Sequence, residues 1–156
     1  MKISAAVLEE FAQPLVVQEV ELDGPGPGEV LVRLAACGVC HTDLYTASGA
    51  VGEGVTALVP GDHVVTLFSP QCRECLHCRS EKTNLCLAIR EQQNLGYLPD
   101  GTTRLHRGEE RIRHFMGTST FAEATVMPEI ALAKVSPDAP LDVVASLACG
   151  ATTGIG

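Results

Sequence analysis

Gly24-Pro25-Gly26-Pro27-Gly28-Glu29-Val30-Leu31-Val32-Arg33-Leu34-Ala35-Ala36 decides the fold class. Its first five residues form a rigid turn cluster, because proline fixes φ and glycine supplies the remaining freedom. From Glu29 to Ala36 the pattern alternates. Val30, Val32 and Leu34 stand against Glu29, Leu31 and Arg33, which is the period of a β-strand. Working outward, the same texture recurs. Ile3 to Leu8 is an apolar run, and Leu15 to Leu22 alternates in part. Val59-Pro60-Gly61-Asp62-His63 reads as a turn into a strand over Val64 to Phe68. Phe121 to Met127 and Ile130 to Val135 read as short strands. Residues 91–120 read as loop, with a turn at Pro99-Asp100-Gly101 and a hairpin through Leu105 to Phe115. Short helices are expected at Cys40-His41-Thr42-Asp43-Leu44-Tyr45, with Thr42 or Asp43 near the N-cap, and at Leu141 to Leu147 behind Pro137 and Pro140. Many short strands broken by Gly and Pro turns predict a mostly β fold with short helices and barrel character.

The 156 residues suit one domain, and 46% apolar residues argue against wholesale disorder. With two Tyr, four Phe and no Trp, aliphatic side chains must form the core. The net charge of −8 argues against a nucleic-acid surface and against an anionic membrane. No apolar run approaches the roughly 18 residues that span a bilayer. Met1-Lys2-Ile3-Ser4-Ala5-Ala6-Val7-Leu8-Glu9-Glu10 lacks the form of a signal peptide, so a cytoplasmic protein with reduced thiols is expected. Seven cysteines then point to metal or catalysis rather than to disulfides.

Four of them fall in one lobe, residues 69–90, with the spacing Cys72-x2-Cys75-x2-Cys78-x7-Cys86. Zinc takes four tetrahedral ligands, and a site filled by four thiolates has no open position. Such a site is structural. The lobe is rich in charge and poor in apolar residues, so the metal must stand in for a core. Arg73, Arg79 and Lys82 can offset the thiolate charge. An iron–sulfur cluster is the rival reading, but its bacterial run has three residues before the last cysteine and a proline after it. Here the gap is seven and Leu87 follows. Gly150-x3-Gly154-x-Gly156 is not a dinucleotide fingerprint, since neither its spacing nor a preceding strand matches one.

Gly38-Val39-Cys40-His41-Thr42-Asp43, the four-cysteine lobe and Gly117-Thr118-Ser119-Thr120-Phe121 resemble the zinc-dependent medium-chain alcohol dehydrogenases. Pro99-Asp100-Gly101-Thr102-Thr103-Arg104 and Pro128-Glu129-Ile130-Ala131-Leu132-Ala133-Lys134 are similar to the class III members, the S-(hydroxymethyl)glutathione dehydrogenases. The resemblance implies a GroES-like, barrel-type catalytic domain over residues 1–156. It implies two zinc ions: Cys72, Cys75, Cys78 and Cys86 match the structural site, and Cys40 and Cys149 match two of three ligands of the catalytic one. It further implies that Thr42 passes the proton, that Asp43 helps orient the site, and that Phe68 lines the substrate pocket. Arg104 would pair with a glutathione carboxylate, and His41 and Thr153 would lie toward the nicotinamide of NAD. The implied substrate is a glutathione–formaldehyde adduct or an alcohol, and the implied assembly a homo-oligomer.

Two departures accompany the likeness. Ala50 runs directly into Val51-Gly52-Glu53-Gly54-Val55, where the family carries about twenty more residues, enough for two strands of typical length. A Gly-His-Glu motif with the third catalytic zinc ligand falls in that gap, as does the acidic partner of Arg104. Cys37, His41 and His63 are nearby donors, but they read as core, cofactor side and turn. The sequence also stops at Gly156, before the Gly-rich turn of a nucleotide-binding domain. The expectation is an incomplete catalytic domain that holds structural zinc and is inactive alone; the alternative is a zinc alcohol dehydrogenase that is active by itself or complemented by full-length subunits.

Overall fold

A computed structural model describes residues 1–36 and 45–155, with 45–51 described by their backbone alone. The expected short helix at 40–45 lies outside the described residues apart from Tyr45, which opens a strand. Among the described residues, nine strands build two antiparallel sheets. The first has the order β1-β2-β6-β7: β1 is Lys2–Val7, β2 Val16–Leu22, β6 Leu105–Arg107 and β7 Glu110–Ile112. The second has the order β8-β3-β4-β5-β9: β3 is Glu29–Ala36, β4 Tyr45–Val51, β5 His63–Thr66, β8 Ala124–Pro128 and β9 Leu132–Lys134.

β3 lies inside the second sheet, between β8 and β4. That explains why both of its faces carry apolar residues. Val30 and Val32 are buried against Leu58 and Val64. On the other side Leu31 packs toward the main core, where Ile3, Ala5, Val20, Leu22 and Leu105 of the first sheet meet Ala124 and Val126 of the second. The sheets therefore pack face to face. They do not close into a barrel among the described residues, where a single isolated bridge, Ala5 to Ala122, crosses between β1 and the approach to β8.

The stretch that follows Ala50 closes neatly. β3 and β4 pair as far as Val30–Val51 and Leu31–Ala50, with a register shift just beyond. Gly52 then donates its N–H to Glu29 O at 2.8 Å, and Gly28 donates to Glu53 O at 2.7 Å. A Cβ on Gly52 would stand 1.9 Å from the carbonyl oxygen of Gly26. Only glycine fits there.

Helices are short. α1 is Leu76–Arg79, α2 Leu87–Leu95, α3 Leu141–Val144 and α4 Thr152–Ile155, with a π-type turn at Leu147–Ala151 before α4. The expected hairpin and the turn at Asp100-Gly101 are present. The reading of 91–120 as loop misses the second half of α2. No described helix is long and apolar enough to cross a membrane.

Candidate metal centre

The lobe between β5 and β6 starts without a core of its own. Cys86 and Ile89 are buried there, whereas Leu76, Leu85 and Leu87 are exposed. Burial at about 25 cal/mol per Å² cannot hold such a segment. Instead the chain turns sharply, with Arg73 and Glu81 in left-handed backbone at φ 65° and 64°. A non-glycine residue in that region is unfavourable unless something else fixes it.

Those turns gather the four cysteines. The Sγ atoms of Cys72, Cys75, Cys78 and Cys86 all lie within 4.8 Å of one another. Cys72 and Cys78 are 3.9 Å apart, and Cys75 and Cys86 are 4.0 Å apart. Four sulfurs bound tetrahedrally to zinc at about 2.3 Å sit about 3.8 Å from each other. The donor set fits one such ion. A multi-iron cluster places several irons and sulfides between the thiolates and would hold them wider. No other group of three or more such donors occurs among the described residues.

Backbone N–H groups point at the sulfurs. Cys75 N donates to Cys72 Sγ at 3.3 Å, and Cys72 N donates to Cys86 Sγ at 3.4 Å. The N–H groups of Cys78 and Leu87 hold the Cys75 thiol down to about 6, and that of Cys75 lowers Cys72. Loss of water around Cys78 pushes its thiol up to about 11. Cys75 thus favours the thiolate at neutral pH before any metal arrives, Cys72 is shifted in the same direction, and the charge of a bound ion would ionise the rest.

The other expected residues are placed less completely. Cys40, His41, Thr42 and Asp43 lie outside the described residues, as does Cys37. Cys149 is half-buried in the π-type turn, and Thr153 is exposed on α4. Phe68 is half-buried just past β5. His63 opens β5 with its Nδ1 buried and unpartnered.

Arg104 has work inside the chain. Its Nε and Nη2 form a fork with Glu29, both at 2.8 Å, while Nη2 also reaches Asp100 at 2.7 Å and Nη1 donates to Thr102 at 2.6 Å. Four of its five N–H groups donate to residues of the chain. Glu29 also accepts the N–H of Gly26 at 2.8 Å. Burial alone would raise Asp100, yet the Thr102 hydroxyl and amide and the Arg104 guanidinium hold its carboxyl below the usual range. Arg104 pairs with Glu29, a residue 75 positions away that no local pattern links to it. The Glu29 carboxylate looked like the polar side of an alternating strand, and nothing local marked it as buried.

Comparison with known proteins agrees with this architecture. Residues 49–137 match the family model described as alcohol dehydrogenase GroES-like domain. The chain is 49% identical to an alcohol dehydrogenase class-3 of Cereibacter sphaeroides and 48% identical to an S-(hydroxymethyl)glutathione dehydrogenase of Paracoccus denitrificans, over all of this chain and 47% of each relative. It therefore spans about half the length of these curated relatives. The first match runs over 177 positions against 156 residues here, so at least 21 positions of that relative have no counterpart. Among solved structures, an alcohol dehydrogenase zinc-binding domain protein from Burkholderia ambifaria superposes with a TM-score of 0.89 at 30% identity, covering 99% of this chain and 47% of that one. The benzyl alcohol dehydrogenase of Acinetobacter calcoaceticus gives 0.87 at 26% identity, covering 99% and 46%.

Proposed function

The chain belongs to the alcohol dehydrogenase family with a GroES-like domain, and on that premise we propose that it is a zinc-holding portion of a class III catalytic domain. The observation that carries the reading is the approach of four Sγ atoms to within 4.8 Å of one another. Zinc there would have no open position, so it would order the lobe and bind no substrate. The activity this portion would serve is the NAD-dependent oxidation of S-(hydroxymethyl)glutathione and of primary alcohols.

For that activity the chain would contribute Phe68 to the substrate pocket and Thr153 toward nicotinamide. It would contribute Cys40 and Cys149 as two ligands of a second zinc, with His41, Thr42 and Asp43 beside them. A zinc ion at an open site of that kind supplies Lewis acidity to a substrate oxygen. The third ligand, a histidine in the family pattern, has no matched residue in this chain. By itself the chain would hold one closed zinc and oxidise nothing.

Metal analysis by mass spectrometry on the purified chain tests this. The expected result is one zinc per chain that survives dialysis. Iron with strong visible absorption, two tightly held zincs, or no metal would overturn the reading. Formation of NADH from S-(hydroxymethyl)glutathione and NAD by the chain alone would overturn its inactivity.

A further inference from the structure

Helix α2 joins the metal centre to two segments that it does not belong to. Cys86, one of the four thiolates, is its N-cap residue and is almost fully buried. Only Ile89 of the helix is buried, so packing alone holds α2 weakly. About two turns beyond Cys86, the side-chain amide of Gln93 spends both of its N–H groups on foreign carbonyls. One goes to Phe68 O, just past β5, and the other to Met116 O at 3.1 Å. The helix ends at Gly96 in left-handed backbone, and Gly96 O accepts the N–H of His114 at 2.8 Å.

The segment that receives these contacts is strained. Met116, Gly117 and Ser119 have φ of 54°, 68° and 51°, so three residues in four are left-handed and two of them are not glycine. Internal bonds tie the turn together: Phe115 N donates to Ser119 Oγ at 3.0 Å, and the N–H groups of Thr118 and Ser119 donate to Phe115 O, both at 3.0 Å. Those bonds lie within the turn. Thr125 of β8 ties it to the second sheet by donating its Oγ1 hydroxyl to Thr118 O at 2.7 Å, and on the side of the cysteine lobe Gln93 ties it to α2, so close that a Cβ on Gly117 would be 3.1 Å from its Nε2. The absence of a side chain at Gly117 leaves room for the Gln93 amide.

We infer that α2 is a strut by which metal at the four-thiolate centre holds the 115–119 turn and the Phe68 backbone in place, with Gln93 as the positioning residue. The inference rests on the metal reading of the four cysteines. Without the ion, Cys86 loses its anchor, α2 loses its register, and both carbonyls lose their donor.

Hydrogen exchange followed by mass spectrometry, on zinc-loaded and chelator-stripped chain, tests the strut. Zinc content measured on the same samples separates failure of the metal site from failure of the strut. In the native chain, stripping zinc should speed exchange about tenfold or more in peptides covering 87–95 and also 113–120. In zinc-loaded Gln93→Leu the 113–120 peptide should already exchange fast, one zinc should remain bound, and stripping should add little there. Gln92→Leu, one residue away on the same helix, should behave as the native chain does. Should Gln93→Leu not fold, the native chain decides alone: faster exchange in 87–95 with 113–120 unmoved overturns the strut. A Gln93→Leu turn that stays protected and still responds to zinc overturns it as well.

Discussion

His114 is 3% exposed, and its ring Nε2 accepts the backbone N–H of Arg104 at 3.4 Å while Nδ1 is buried without a partner. Burial, followed by the positive charge of Arg104, lowers its pKa from 6.5 to about 4. The sign follows from linkage. Between about 4 and 6.5 the unfolded chain binds a proton at this histidine and the folded chain does not, so stability is full above 6.5 and falls as pH drops toward 4. Over that window the native chain should lose roughly 3 kcal/mol through this group. His114→Gln keeps an acceptor but cannot titrate, and its urea unfolding free energy should fall by correspondingly less. Parallel pH profiles for the two proteins would refute the assignment. The same neighbourhood shows where residue-level reading ends. Cys72, Cys75, Cys78 and Cys86 were legible because their spacing is local. Glu29 and Arg104 were not legible as a pair, because an ion pair across 75 positions leaves no mark on either segment.

At the scale of elements, β3 was readable in full because alternation and its turn cluster coincide on Glu29 to Ala36. β4 was not. Tyr45-Thr46-Ala47-Ser48-Gly49-Ala50-Val51 has little strand pattern of its own, and it is a strand because β3 and β5 pair with it on both sides. α2 was hidden for another reason. Its N-cap is Cys86 rather than a Ser, Thr or Asp, and its single buried residue leaves little apolar pattern to read. The junction after β4 makes a sharper claim. Gly52→Ala would force a methyl group against the Gly26 carbonyl, which belongs to a backbone already fixed by Glu29. It should destabilise the chain by about 2 kcal/mol or more in chemical denaturation. Gly24→Ala, with nothing within 4 Å of the new carbon, should change stability by less than about 0.5 kcal/mol. Equal effects of the two substitutions would mean that the junction is not packed as described.

For the whole molecule, two packed sheets carry the apolar core, and the metal lobe is an excursion between β5 and β6 that this core does not stabilise. The β class and the lobe could be read from the sequence, since both rest on local patterns. The face-to-face meeting of the two sheets, without closure among the described residues, could not, since it depends on which distant strands meet. On the proposed reading the molecule would have two sources of order, one hydrophobic and one ionic, joined through α2. The central claim is that the second source is a single divalent ion held by four thiolates. Cobalt(II) substitution tests it most directly, because a tetrahedral cobalt tetrathiolate absorbs strongly in the red and in the near ultraviolet. The stripped chain titrated with cobalt should develop both bands to an end point of one equivalent, and Cys86→Ser should lower and shift the sulfur charge-transfer band. A pale octahedral spectrum, or bands unchanged by Cys86→Ser, would contradict it.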